Sequence, residues 1–187
     1  GPERDGVHGR LRSVVGEHET WTQQGSVSYR DDALDLFFSA GHRESDGHRE
    51  NAGGETDSIN GRAGIRLSDT WSASFLVSHA DSMAEDPEPV GGPQPGRLER
   101  YLTDTEFYLL KLSHQTDRAR GDIKLYYEDG DARWEQWDFA RSQPFDHIPE
   151  WDNYGVRLRE IVSVAERTDL TAGFDLDWYG GKTADRY

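Results

Sequence analysis

Cysteine is absent from this 187-residue chain, which excludes a disulfide framework and any thiolate-ligated metal centre. No run of about 18 apolar residues occurs either, so no helix can cross a membrane. That leaves a membrane barrel open, because its strands give every second position to an aqueous lumen. Basic residues are scarce: 21 Lys and Arg stand against 36 Asp and Glu, a formal net charge of −15. A nucleic-acid partner needs a basic surface, so that function class is set aside. Only 34% of residues are hydrophobic, a share low enough to suggest disorder. Yet 7 Phe, 6 Trp and 8 Tyr are too many for a disordered acidic tail. The chain has no GxSxG, no P-loop and no HExxH, so neither an enzyme nor a cofactor is expected. Gly1-Pro-Glu-Arg-Asp5 lacks a charged start followed by an apolar run. The chain is therefore expected to be part of something longer, with Gly1-Pro2 either native or a processing scar.

What the sequence does contain is alternation. In the tail, Leu170, Ala172, Phe174, Leu176 and Trp178 interleave with Thr171, Gly173, Asp175 and Asp177. A period of two describes a strand with one apolar and one wet face. Eight earlier segments repeat it, at about 7–16, 20–30, 32–43, 57–68, 70–81, 102–115, 119–137 and 151–163. In the fourth, for example, Ile59, Ala63, Ile65 and Leu67 oppose Asn60, Arg62 and Arg66. Helical spacing of three and four is nowhere sustained, so an all-β chain of nine antiparallel strands is expected.

The connections are expected to sort by length. Short turns fall at 31–32, 68–70, 115–118 and 165–168, and longer polar loops at 44–56, 82–100 and 138–150. The first hairpin, 17–20, is short on the long-loop side. Pro87, Pro89, Pro93 and Pro95, with Gly91, Gly92 and Gly96, make the middle loop irregular. The tail strand is expected to end in a Gly-rich loop at 180–182, leaving Asp185-Arg186-Tyr187 outside any strand. Loops sorted by side characterise outer-membrane barrels. A soluble acidic β-sheet binding module is the plainer alternative.

Few residues suggest a bound ion. His42 and His48 flank an acidic loop and are the candidates for gripping a metal or haem. The seven His form no tight pair in sequence, so both read as solvated loop residues and no metal site is expected. Glu85, Asp86 and Glu88 offer oxygens for calcium, but no loop has EF-hand spacing. Trp21, Trp71, Tyr101, Trp134, Trp137, Trp151 and Trp178 stand near strand ends, as an interface belt would, with Trp71 at the opposite rim from the rest.

Four stretches carry a family resemblance: Asp5-Gly-Val-His-Gly-Arg-Leu11, Tyr29-Arg-Asp-Asp-Ala-Leu-Asp-Leu-Phe-Phe-Ser-Ala-Gly-His-Arg43, Asn60-Gly-Arg-Ala-Gly-Ile-Arg-Leu67 and Leu170-Thr-Ala-Gly-Phe-Asp-Leu-Asp-Trp-Tyr-Gly-Gly181. With them the chain resembles the front part of the barrel of a TonB-dependent outer-membrane receptor. The resemblance implies a transmembrane β-barrel in the cell outer membrane, of which residues 1–187 supply about the first nine of 22 strands. The plug domain, the energy-coupling box and the C-terminal strands are then expected outside this chain; a small complete barrel is the alternative. The implied function is energised uptake of a scarce ligand, a ferric siderophore ahead of cobalamin or haem. The implied partners are the lipid bilayer, the TonB complex acting through the plug, and the small-molecule ligand. Arg62, Arg66, Arg157, Arg159, Asp175 and Asp177 are expected to face the lumen. There the arginines would dock the plug before they touched ligand. A passive porin or structural barrel is the second reading.

Overall fold

The computed structural model describes residues 5–87 and 99–187. Most of the Pro- and Gly-rich connection, including Glu88, lies outside them, as does Gly1-Pro2. Nine strands form one antiparallel sheet in chain order: β1 (Gly6–Val15), β2 (Trp21–Arg30), β3 (Leu34–Ser45), β4 (Gly54–Arg66), β5 (Trp71–Glu85), β6 (Arg100–Gln115), β7 (Ala119–Asp138), β8 (Gln143–Ala165) and β9 (Thr168–Arg186). No helix occurs among the described residues. Strands touch only their sequence neighbours, so β1 and β9 are edges and the sheet is open.

The expected alternation is therefore a nine-stranded ladder with no core beneath it. Among the described residues the buried apolar ones are Ala132 and Ile148, and no large side chain is fully buried. Leu11 remains 83% exposed and Phe174 57%.

The turns are built from side-chain caps. At 31–33, Asp31 Oδ1 accepts from the amides of Ala33 (2.8 Å) and Leu34 (2.7 Å), and the Tyr29 hydroxyl donates to Oδ2 (2.7 Å). Ser68 Oγ accepts from Trp71 N at 3.1 Å, and Thr116 Oγ1 from Ala119 N at 3.0 Å. Such local bonds let Asp, Ser and Thr close a turn. On the opposite side, the 46–53 connection is held where Glu85 Oε2 accepts from Gly53 N (2.9 Å).

Two expectations are corrected. The long loop expected at 138–150 is mostly strand: β7 and β8 close over a tight turn at 139–142, capped by Asp138 Oδ1 on the amides of Ala140 and Arg141. Proline cannot donate to a ladder, yet Pro144 and Pro149 both lie within β8. In the structure the β7–β8 ladder skips from Asp131↔Glu150 to Trp134↔His147, so Pro149 has no register partner on β7, whereas Pro144 stands opposite Trp137. The tail strand likewise continues through Gly180 and Gly181 to Arg186, because the lengthened β8 offers it partners as far as Asp146.

Two glycines mark close approaches that bridge alternate strands. In the row His114↔Gly121↔Glu160, the imidazole of β6 and the carboxylate of β8 meet over Gly121 of β7, Nε2 to Oε2 at 2.8 Å. In the row Tyr126↔Gly155↔Asp177, the phenol of β7 donates to the carboxylate of β9 over Gly155 of β8. A Cβ at Gly155 would stand 2.6 Å from both the Tyr126 hydroxyl and Asp177 Oδ1.

Gly155→Ala is expected to break the Tyr126–Asp177 bond and to cost about 1–3 kcal/mol by overpacking. Gly9→Ala, where a Cβ meets only Ser26 O at 3.8 Å, is expected to stay within about 0.5 kcal/mol of wild type. Denaturant titration in detergent micelles checks both. The turn at 31–33 should respond to acid. The Tyr29 hydroxyl first, then the Ala33 and Leu34 amides, hold the Asp31 carboxyl below its ordinary value. Its contribution is complete above the unfolded value of about 3.9 and is lost as pH falls through the lower folded value. Amide protection at Leu34 should fall over that acid range in wild type and be weak throughout in Asp31→Asn.

Candidate functional site

Because partners in an antiparallel ladder share a face, the register sorts every side chain into one of two surfaces. On the first, apolar rows cross the sheet. One runs Leu34↔Ile65↔Ala73↔Leu112↔Ile123↔Leu158↔Phe174, and the next Leu36↔Ala63↔Phe75↔Leu110↔Leu125↔Val156↔Leu176. Towards the long-connection end follows an aromatic row, Tyr108↔Tyr127↔Tyr154↔Trp178. Its rings touch, with centroids 6.3 Å apart for Tyr108–Tyr127 and 5.3 Å for Tyr154–Trp178. Beyond it the face turns acidic. One row sets Glu106, Asp129 and Asp152 opposite one another, and the next sets Asp57, Asp81, Asp104, Asp131 and Glu150. At the short-turn end, Trp71 packs on His114 at 5.1 Å, beside the His114–Glu160 pair.

The acid rows place like charges directly across strands, a destabilising arrangement. Few side chains offset them: Lys182 reaches Glu150 at 2.8 Å, and the imidazoles of His79 and His42 stand 3.4 Å from Asp104 and 2.9 Å from Asp57. Tyr108 donates to Glu106 at 2.7 Å.

The second face is more polar and carries many of the basic residues, although Arg100, Arg133, Lys182 and Arg186 stand on the first. Arg30 (3.2 Å) and Arg62 both bond Asp35, and Lys111 (3.8 Å) and Lys124 (3.3 Å) both reach Asp122. The Arg157 guanidinium lies 5.0 Å from the centre of the Tyr126 ring. All six expected lumen residues fall on this face. Arg62 is tied to Asp35, Arg66 stands opposite Ser72, and Arg159 stands opposite Asp122. Arg157 and Asp175 are direct partners, and Asp177 takes the Tyr126 hydroxyl. They are spread over the sheet, and Arg62, Arg157 and Asp177 have partners within it.

The seven strand-end aromatics divide. Trp21, Trp71 and Trp178 lie on the apolar face, whereas Tyr101, Trp134 and Trp151 lie on the polar one. Trp151 there leans over Gly130 and donates to Glu128 at 3.3 Å. Trp137 sits far out on the β7–β8 hairpin, opposite Pro144. The aromatic row instead consists mainly of tyrosines that sequence reading passed over. A signal for them was present: Glu106-Phe-Tyr108, Tyr127-Glu-Asp129 and Asp152-Asn-Tyr154 each put a Tyr two residues from an acid, on one face.

At the long-connection end, a cleft of about 650 Å³ is lined by the 46–53 loop together with Glu44, Glu55, Met83 and Glu85. His42 and His48 part company here. His48 lines the cleft from the loop, whereas His42 sits on β3 with Glu55 and Asp57 beside it.

Replacing one acid inside the row should relieve repulsion. Asp81→Asn, between Asp57 and Asp104, is expected to stabilise the fold by about 0.2–1 kcal/mol in low salt. The gain should shrink towards zero near 1 M salt, where charges are screened within about 3 Å. Paired denaturant titrations at the two ionic strengths provide the check.

Compared with known proteins, the chain matches no family model, and no curated protein matches it.

Proposed function

We propose that this sheet is part of the wall of an outer-membrane β-barrel, apolar face to lipid and polar face to lumen. We propose further that the barrel belongs to a TonB-dependent receptor importing a ferric siderophore. One observation carries the membrane reading: a coreless sheet with a layered apolar face, bounded by an aromatic row on one side and a Trp–His–Glu rim on the other. In water such a face would be a large unpartnered apolar surface. In lipid it is the outward band of a barrel with its aromatic girdle.

The dimensions support this. The stretch from Leu170 to Trp178 covers roughly 26 Å at about 3.3 Å per residue. A stave tilt of about 40° lowers that to about 20 Å of height, comparable to the apolar band of about 25 Å in such barrels. The edges at β1 and β9 suit a wall that continues, since lipid tolerates no open strand edge.

The receptor assignment rests on the resemblance of 5–11, 29–43, 60–67 and 170–181 to barrels of that family. The polar face is compatible with it. Arg62, Arg66, Arg157 and Arg159 offer guanidinium forks to plug carboxylates, or to the anionic groups of an iron chelate.

The purified chain is expected to need detergent or lipid. A monodisperse chain in plain buffer with an intact sheet spectrum would sink the membrane reading and favour a soluble acidic module. The transport reading is tested with the whole gene in a Gram-negative host stripped of its own siderophore receptors. Uptake of radio-iron chelate that collapses with a protonophore supports the receptor. Protonophore-insensitive entry of unrelated small solutes would identify a passive porin.

A further inference from the structure

Four residues at the long-connection end of the apolar face form a compact array. His42 is the direct ladder partner of Asp57, and Glu44 that of Glu55. Alternation turns all four side chains to one side, so two strands present an imidazole and three carboxylates together. The ladder here is continuous to Ser45↔Gly54, so the backbone that carries them is fixed.

We infer that His42, Glu55 and Asp57 bind a divalent first-row transition-metal ion, with Glu44 orienting the imidazole from behind. Donor atoms of the three ligands all lie within 4.8 Å of one another. His42 Nδ1 stands 2.9 Å from Asp57 Oδ1 and 3.8 Å from Glu55 Oε1. A tetrahedral zinc ion with bonds of about 2.0–2.2 Å needs its donors about 3.4 Å apart, and the two distances straddle that value. The ion would take the place of the proton between Nδ1 and Asp57.

The other side of the ring fits the same role. His42 Nε2 faces Glu44 Oε2 at 3.8 Å, beyond hydrogen-bond length but close enough that a small turn of the carboxylate would form the carboxylate–histidine pair that fixes a ligand ring behind a metal. Trp21 meets the ring edge-on, centroids 5.6 Å apart at 67°, and limits its rotation. The donor set also selects the class of ion. Calcium and magnesium prefer all-oxygen ligands, whereas one imidazole among carboxylates suits zinc and its neighbours in the first row. Among the described residues the other imidazoles close no such array; His147, for example, meets Asp185 at 2.9 Å. This inference stands whether or not the sheet crosses a membrane.

The test titrates Zn²⁺ into the full chain in detergent micelles, followed by calorimetry and by the histidine ring resonances. One saturable site is expected, with the His42 resonance moving as it fills. His42→Ala and Asp57→Asn should abolish that site, and Glu44→Gln should weaken it about tenfold, as the loss of an outer-shell carboxylate does elsewhere. His48→Ala and His147→Ala should leave it unchanged. Far-UV spectra of each variant establish that the sheet is intact; were His42→Ala to unfold, the wild-type resonance shift alone would decide. Zinc uptake that ignores His42→Ala, or saturation without movement of the His42 resonance, would overturn the assignment in favour of diffuse attraction to an acidic surface.

Discussion

Everything in this structure depends on a backbone ladder with no core beneath it. Most domains hold their strands together by burying one face against a second layer. Here nine strands meet only their neighbours, and almost nothing is buried. Stability must therefore come from inter-strand amide bonds, from cross-strand side-chain pairs and from whatever covers the apolar face. The first two are local and directional. The third is the term a bilayer would supply, which is why the absence of a core and the membrane reading belong together.

Register is the variable that turns sequence into surface. Once the strands are aligned, aliphatic residues, tyrosines and acids fall into successive rows on one face, while Arg30, Arg62, Arg66, Lys111, Lys124, Arg157 and Arg159 stand on the other. The two faces thus separate charge as well as polarity. A net charge of −15 describes neither of them: acids dominate beyond the aromatic row, and cations stand behind the apolar band.

Strand number, strand order and the facing of Arg62, Arg66, Arg157, Arg159, Asp175 and Asp177 were legible from the sequence, because alternation is a one-dimensional signal. What needed pairing partners was not. The acid rows join residues from five strands, and no single segment shows that Asp57, Asp81, Asp104, Asp131 and Glu150 share a line. For the same reason Tyr101, Trp134 and Trp151 looked like girdle residues: nearness to a strand end is visible in sequence, but face requires an anchor in the ladder. The 138–150 segment looked like a loop because it is polar; its pairing with β7 on one side and β9 on the other shows only in the ladder. His42 and His48 looked equivalent beside one acidic loop. Only the ladder sets one of them against Asp57.

The glycines beneath the His114–Glu160 and Tyr126–Asp177 bridges bear on a failure that hydrophobic patterning cannot prevent. A slip of one residue would throw apolar side chains onto the wrong face and is strongly disfavoured. A slip of two preserves every face and leaves the apolar band nearly as well filled. At Gly121, however, such a slip would bring Ala119 or Ile123 under the His114–Glu160 contact, and at Gly155 it would bring Asn153 or Arg157 under the Tyr126–Asp177 bond. Each bridge works like a key cut for a single notch. Together they index β6 to β9, strand against strand, at the one offset the rest of the sequence leaves undecided.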